Sequence, residues 1–568
     1  MKFKTIGKAA TDALKPDAPA AAGEDTAATP LTRRNFLRNS SSAGVGVGLI
    51  VTSKTALGQQ GTKDGIVRCG IIGYGDEGKA LRESAMFLKD NVRFPAVADI
   101  WERNKRAGVG QISGNGQGVG EKGDTCTGYE DAADMLKNEE LDCVIVATPD
   151  FVHHTYTVMG LEAGKDVYCE KLMSNSIESA REMVKAQQRT GKLLQIGHQR
   201  RSNPRYLHAK NELLTKNNLL GWITHMTAQW NRARGGSMPR EVPIGKDTLP
   251  DEVLEKYGYN TGATGMFEFR NWRMFKKLGG GIISDLGAHQ IDLFNWFLDA
   301  TPSSIFAQGG TDYYTGAFIS EYLVGEVETK IAKNEDKKKP SKRLREKLAA
   351  ELEIANQIKN GYEHADNVMA FYEYQTPRAQ WETKGGTGDV LKTRAYYQVL
   401  TTSSSQKFYE KFMGEHATLA ISELTEYNQI YREAHDERYE NWTKLALGEK
   451  PAIQKDLTNE KIYHRFWEKP APWREGKRDK WLDTGTLADA RVSKGLDPYE
   501  LPDHVQFKER PHTPHLRNFF DTVRNGGKQD DLNCTAYEGF TTCVTCMKVH
   551  EALETGGKIE FKPEDFVV

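Results

Sequence analysis

Residues 66–78 run IVRCGIIGYGDEG, and the organisation of the chain follows from them. Ile66, Val67, Cys69, Ile71 and Ile72 make a short apolar, largely β-branched run of the kind that forms a strand buried on both faces. Gly73, Gly75 and Gly78 follow in G-x-G-x-x-G spacing, ahead of a helical pattern from Lys79 to Leu88. Strand, tight turn and helix together point a helix N-terminus at an anion. Gly73 permits the turn, Gly75 the close approach of a pyrophosphate, and Gly78 the packing of helix on strand. A second apolar run, Val92–Ile100, carries Asp99 where an acidic residue meets the ribose hydroxyls of a bound dinucleotide. An acid there favours NAD because it repels a 2′-phosphate. Arg103, one helical turn on, leaves NADP open.

The alternation continues. A helix is predicted over Tyr129–Lys137, a buried strand over Leu141–Ala147, a strand over Asp166–Cys169, a helix over Ile177–Thr190 and a strand over Leu193–Gly197. Strands and helices alternating at this pace imply an α/β domain with a doubly wound parallel sheet, a Rossmann fold, over residues 62–197. Ligands of such sheets sit beyond the carboxyl ends of the strands. Thr148, Pro149 and His153 follow one strand, Glu170 and Lys171 the next, and His198 and Arg200 the third. The first five are candidate cofactor ligands, with the three glycines, Asp99 and Arg103.

Across its 568 residues the chain has a formal net charge of −1, which makes no electrostatic case for nucleic acid or an acidic membrane surface. Residues 1–58 read as a disordered N-terminus and an export signal. TRRNFLR (Thr32–Arg38) precedes a mild apolar segment, Ala43–Val51, and Ala56-Leu57-Gly58 is a small-x-small cleavage site. Paired arginines ahead of such a segment resemble a twin-arginine (Tat) signal. The expectation is therefore a periplasmic or otherwise exported protein, handled by the Tat machinery, with no stable membrane span. Tat substrates cross folded, so a nicotinamide loaded beforehand would travel tightly bound and be recycled in place. The seven cysteines form no disulfide framework, and Cys543-x-x-Cys546 lies in the helical pattern Tyr537–Leu553 without a second pair, so no metal site is expected.

ATPDFVHH (147–154), GKDVYCEK (164–171) and LGGGIISDLGAHQID (278–292), in that order, closely resemble the Gfo/Idh/MocA oxidoreductases. The likeness resumes at His364–Tyr374 and from His512 onward, in HLRNFFDTVRNGG. It implies an NAD(P)-dependent enzyme acting on a sugar, cyclitol or glycoside, with Lys171, Asp285 and His289 at the reacting carbon. Asp285 and His289 stand four apart, on one face of a helix. In such a site His289 would take the hydroxyl proton, Lys171 would stabilise the charge developing on oxygen, and Asp285 would orient the imidazole or a neighbouring hydroxyl. One departure stands out: the family's proline after this lysine is Leu172 here, which allows Lys171 to point differently. Two alternatives follow: a glycoside hydrolase or lyase using transient oxidation by NAD, and a non-catalytic sugar-sensing or scaffold protein.

Residues 198–568 are expected to form a C-terminal α+β domain with a large, mostly antiparallel open sheet. Strands are predicted at Ile223–Asn231, Ser304–Gln308 and Val368–Tyr374, and His198, Arg200, Asn231, Trp272 and Arg273 are candidate sugar-facing groups. Residues 315–363 read as an insertion with an amphipathic helix along Leu344, Leu348, Leu352 and Ala355. Trp442, Trp467, Trp473 and Trp481 lie in a second long polar stretch. The family likeness also implies a homodimer or homotetramer.

Overall fold

The computed structural model describes residues 61–433, 493–495 and 509–568, apart from 63, 89–90, 338–340, 382, 384 and 425–426. The expected export signal and the four tryptophans of the polar stretch lie outside these residues. No helix among the described residues is long and apolar enough to cross a membrane.

Seven strands form a wholly parallel sheet: β1 (Val67–Ile72), β2 (Val92–Arg93), β3 (Ala96–Ala98), β4 (Thr127–Tyr129), β5 (Cys143–Val146), β6 (Asp166–Cys169) and β7 (Leu194–Ile196). Their order is β4-β3-β1-β5-β6-β7, with β2 also beside β1. β1, β5 and β6 are almost wholly buried, as their unbroken apolar sequences require of strands covered on both faces. The run 92–100 is two strands, because Pro95 cannot donate to a ladder. Tyr129, predicted helical, ends β4, and the helix starts at Ala132 behind the Asp131 cap.

The second sheet has nine strands: β8 (Ile223–Asn231), β9 (Pro302–Gly310), β10 (Asn367–Pro377), β11 (Val390–Leu400), β12 (Phe408–Gly414), β13 (Ala417–Ile421), β14 (Gln429–Glu433), β15 (Ser493–Gly495) and β16 (Ile559–Glu560). In the order β15-β14-β13-β12-β8-β11-β10-β9-β16 every pair is antiparallel except β8 with β11. Period-two burial along β10 and β11 gives this sheet one covered face and one open face. Helices Ala288–Leu298 and Ala536–Thr555 belong to the core that joins the covered face to the first domain.

The chain does not divide at residue 198. Helix Thr513–Arg524 returns to the first domain, where Leu516, Phe519, Phe520 and Val523 share a core with Val67, Cys69 and Ile71 of β1. The insertion is a helical pair, Gly316–Glu335 and Lys342–Gln357. Ser341 caps the second helix, and Leu348 and Ala355 are its buried side.

Candidate active site

At the carboxyl ends of β1, β3, β5 and β6 lies a cavity of about 290 Å³, lined by the glycine loop on one side and Lys171 and Asp285 on the other. The loop is built as its spacing requires. Gly73 has φ of +89°, and a Cβ there would stand 2.8 Å from the Ala147 carbonyl oxygen. At Gly78 it would stand 2.2 Å from the Gly73 carbonyl, whereas at Gly75 it would meet nothing within 4 Å. No side chain caps helix Asp76–Ala85, so its first amides are open to an anion. The Thr148 hydroxyl oxygen, also on this wall, is buried without a partner. Open space at the one glycine meant for a ligand, uncapped amides and an orphaned hydroxyl all fit a dinucleotide pyrophosphate.

Asp99 lines the same cavity, with its carboxylate already fixed from within the protein. It accepts from Tyr74 N at 2.7 Å, Trp101 N at 2.8 Å and Asn104 Nδ2 at 3.2 Å. Burial pushes its carboxyl up despite those bonds. The Arg103 guanidinium lies 5.3 Å over the Trp101 ring. Pro149, on the cavity wall, occupies the N-cap position of helix Asp150–Glu162 without a side-chain cap. His153 is corrected from cofactor ligand to support: its ring nitrogens lie 2.7 Å from the Thr148 carbonyl and 2.8 Å from that of Leu172, leaving neither for a ligand. Glu170 accepts from the Tyr168 hydroxyl and the Lys171 amide. Burial, and after it the charge of Glu77, pushes Glu170 up to about 8, so it holds a proton at neutral pH. Glu77, Glu170 and His512 each bring one ligand-capable atom within 4.8 Å of the others, a grouping that no sequence spacing announced.

The Lys171–Leu172 peptide is cis, and the Lys171 side chain reaches the cavity. Its Nζ donates to the Asp285 carbonyl at 2.7 Å and lies 4.0 Å from the carboxylate. That carboxylate accepts from Arg273 Nε at 2.9 Å and from an Arg232 terminal nitrogen at 3.3 Å. Burial alone would raise Asp285, but Arg273, Lys171 and Arg232 together hold it well below the usual carboxylate range.

Asp285 does not orient His289. Residues Ile283–Gly287 form a turn of π-helix before helix Ala288–Leu298, which breaks the expected four-residue spacing, and the carboxylate turns to the arginines instead. His289 lies behind the cavity wall, its ring 5.5 Å from that of Trp230 and its Nδ1 without a partner. Burial, followed by the charges of Lys171 and Arg200, keeps it neutral far below its ordinary range.

Of the expected sugar-facing groups, Trp272 and Arg273 line the cavity. Three others do not. Arg200 is fully buried, 2.5 Å from Glu410 and 3.1 Å from Glu423. Asn231 spends its amide inside the sheet, donating to the Ser405 carbonyl and accepting from Gln398. His198 is buried 3.9 Å from Asp292, with neither ring nitrogen hydrogen-bonded. Each lies inward of a strand end, and strand-end position alone does not tell inward from outward.

Residues that the sequence left unmarked also build the site. Asp150 accepts from Ser284 at 2.6 Å. Arg240, Arg270, Tyr257, Tyr259 and Phe269 come from the second domain to the adenosine side of the cavity. They are tied across it by Arg240–Asp76 at 2.6 Å, Trp101 Nε1 to the Asp247 carbonyl at 2.9 Å, and edge-on ring contacts of Trp101 with Phe269 and of Phe151 with Tyr259.

Residues 67–198 match the model of the oxidoreductase family with an NAD-binding Rossmann fold, and residues 256–336 that of the GFO/IDH/MocA C-terminal domain. An inositol 2-dehydrogenase of Rubrobacter xylanophilus is 30% identical over 145 residues, 25% of this chain and 38% of that protein. The putative oxidoreductase YteT of Bacillus subtilis is 25% identical over 186 residues, 33% of this chain and 36% of its own. The chain thus spans under two fifths of the length of these curated relatives. A levoglucosan dehydrogenase solved with NADH and levoglucosan superposes with a TM-score of 0.53 at 13% identity, covering 87% of this chain and 99% of that one, which shows the fold. Two segments of this chain, 67–198 and 256–336, are thus similar, in that order, to the NAD-binding and C-terminal domains of the Gfo/Idh/MocA oxidoreductases.

Proposed function

We propose that the protein is an NAD-dependent oxidoreductase that oxidises a ring hydroxyl of a sugar, cyclitol or glycoside. The observation that carries this reading is that Lys171 and Asp285 stand on the wall of the cavity that the glycine loop opens into. A nicotinamide dinucleotide held there by the glycine loop, Thr148 and Asp99 would supply the hydride acceptor. The rest falls to the chain. Lys171 Nζ, held on the Asp285 carbonyl, is placed to donate to the substrate oxygen as negative charge develops on it. His289, unpartnered at Nδ1 but behind the cavity wall, takes the hydroxyl proton only by relay through Lys171, the group that stands at the substrate oxygen. Trp272 offers a ring face for the sugar.

The second domain's hold across the adenosine side supports a cofactor that stays bound through turnover. TRRNFLR supports export through the Tat route with that cofactor in place. The open sheet face exposes Phe306, Met369 and Phe371 at 36%, 41% and 52%, which supports a homodimer or homotetramer paired through this sheet.

The test is to purify the protein without added cofactor, denature it and identify any released nicotinamide by mass spectrometry, before and after soaking with a panel of sugars. Stoichiometric NAD that one sugar converts to NADH bears the reading out. Cleavage of a glycoside with NAD unchanged replaces net oxidation by transient oxidation. An empty site refutes retention.

A further inference from the structure

Three cations crowd the reacting end of the cavity. Lys171, Arg232 and Arg273 converge on one carboxylate, Asp285, at 4.0, 3.3 and 2.9 Å. They arrive from three elements: the end of β6, the end of β8 and the turn after helix Gly262–Asn271. Asp150, which accepts from the Ser284 hydroxyl, Glu170 and Glu77 also line the cavity, and among the described residues none of the three is hydrogen-bonded to either arginine. One carboxylate needs one cation. Three around it repel one another, and a further anion would relieve that repulsion.

The arginines are also built to receive one. Among the described residues each makes a single side-chain hydrogen bond, to Asp285, so the remaining edges of both forks are unused. Both remain partly exposed, at 31% for Arg232 and 36% for Arg273. The Arg273 guanidinium lies 4.3 Å over the Trp272 ring, which fixes the plane of its fork beside the surface offered to a sugar. A planar fork held on an aromatic face suits an oxyanion better than a hydroxyl.

We propose that the substrate of this site is an acidic sugar, carrying a carboxylate or an ester sulfate or phosphate, and that Arg273 and Arg232 bind that group. The proposal rests on the oxidoreductase reading for what happens to the sugar, and on the arginines alone for which sugar binds. Trp272 takes the ring face, the arginines take the acid, and the hydroxyl to be oxidised is left at Lys171.

The experiment uses the full-length protein with its cofactor. Binding of glucuronate, galacturonate, glucose 6-sulfate and glucose 6-phosphate is compared by calorimetry with binding of glucose and galactose, and cofactor reduction is followed separately by absorbance. At least one acid should bind about tenfold or more tighter than its neutral counterpart, a margin that one charge-assisted pair supplies. Added salt should erode this preference, and Arg273→Gln and Arg232→Gln should bring it towards unity in proteins whose melting temperature is unchanged. Arg232→Lys should keep part of it, which guards against a merely misfolded Gln variant. A preference confined to uronates assigns a carboxylate, and one confined to the esters assigns sulfate or phosphate. Neutral sugars binding as tightly as every acid, or a preference that survives both Gln variants, overturns the proposal. Selective acid binding without cofactor reduction keeps the anion site and sinks the oxidoreductase reading. Reduction by a neutral sugar with no preference for acids does the reverse.

Discussion

Replacing Arg200 with methionine tests the most consequential reassignment, from sugar ligand to core ion pair. Arg200 lies 2.5 Å from Glu410 and 3.1 Å from Glu423, and its guanidinium sits 5.4 Å from the rings of both Trp230 and Phe408. Arg200→Met keeps most of the packing and removes the charge. Glu410, which also takes the Tyr206 hydroxyl at 2.9 Å, is left buried without a counter-ion. Breaking a buried pair from one side costs roughly 3–5 kcal/mol. Burial already pushes the Glu410 carboxyl up while Arg200 pulls it down, so the variant's carboxyl rises further. An acid whose folded pKa is raised supports the fold below its unfolded value and loses that support as pH rises through the folded one. The deficit should therefore be small near about pH 4.5 and complete near about pH 8. Urea midpoints at the two pH values measure it. The double variant Arg200→Met/Glu410→Leu should recover most of the loss, since an apolar replacement of a buried pair is often neutral. A deficit under about 1 kcal/mol near pH 8, or a double variant no more stable than the single one, would refute the ion-pair account. A raised KM at unchanged stability would restore Arg200 to the sugar.

Other outcomes follow from the site. Lys171→Ala should lower turnover by roughly 10²–10⁴ while stoichiometric NAD still copurifies, read by single-turnover kinetics and mass spectrometry. Arg240→Ala opens an ion pair whose partners are 45% and 68% exposed, so NAD release should quicken only about two- to fivefold, consistent with a surface pair worth under about 1 kcal/mol, in a displacement assay. Glu170, pushed up to about 8 chiefly by burial, should ionise against the cofactor phosphates as pH rises through that value. NAD affinity should fall there, and Glu170→Gln should flatten the fall; an unchanged profile in the variant would locate the titration elsewhere.

Much of the first domain was legible because its rules are local. β6 and helix Ile177–Thr190 stand where the sequence put them. Ser176 caps the helix through the Ser179 amide, and Gly191 ends it in the left-handed region, both signals within a turn of the element they bound. The glycine loop was legible for the same reason: each glycine answers a neighbour already fixed by the chain next to it. What escaped depends on partners far along the chain. GHQRR at the end of β7 advertises cations at a strand end, but whether Arg200 faces a sugar or a carboxylate is decided by Glu410, 210 residues away. Helix Thr513–Arg524 carries an apolar stripe that sequence can find, yet nothing local says that its partner is β1 rather than the sheet it follows. Asp285 failed in a third way. Four residues from a histidine, it belongs on that histidine's face only if the helix keeps α-geometry, and the π-turn takes that away. Its carboxylate goes instead to Arg273 and to Arg232, a residue whose one sequence signal is its place directly after β8. Sequence therefore places residues such as Lys171, Trp272 and Arg273 on the cavity wall, and fails where distant elements must meet before a charge has a partner, as Asp285 does with Arg232.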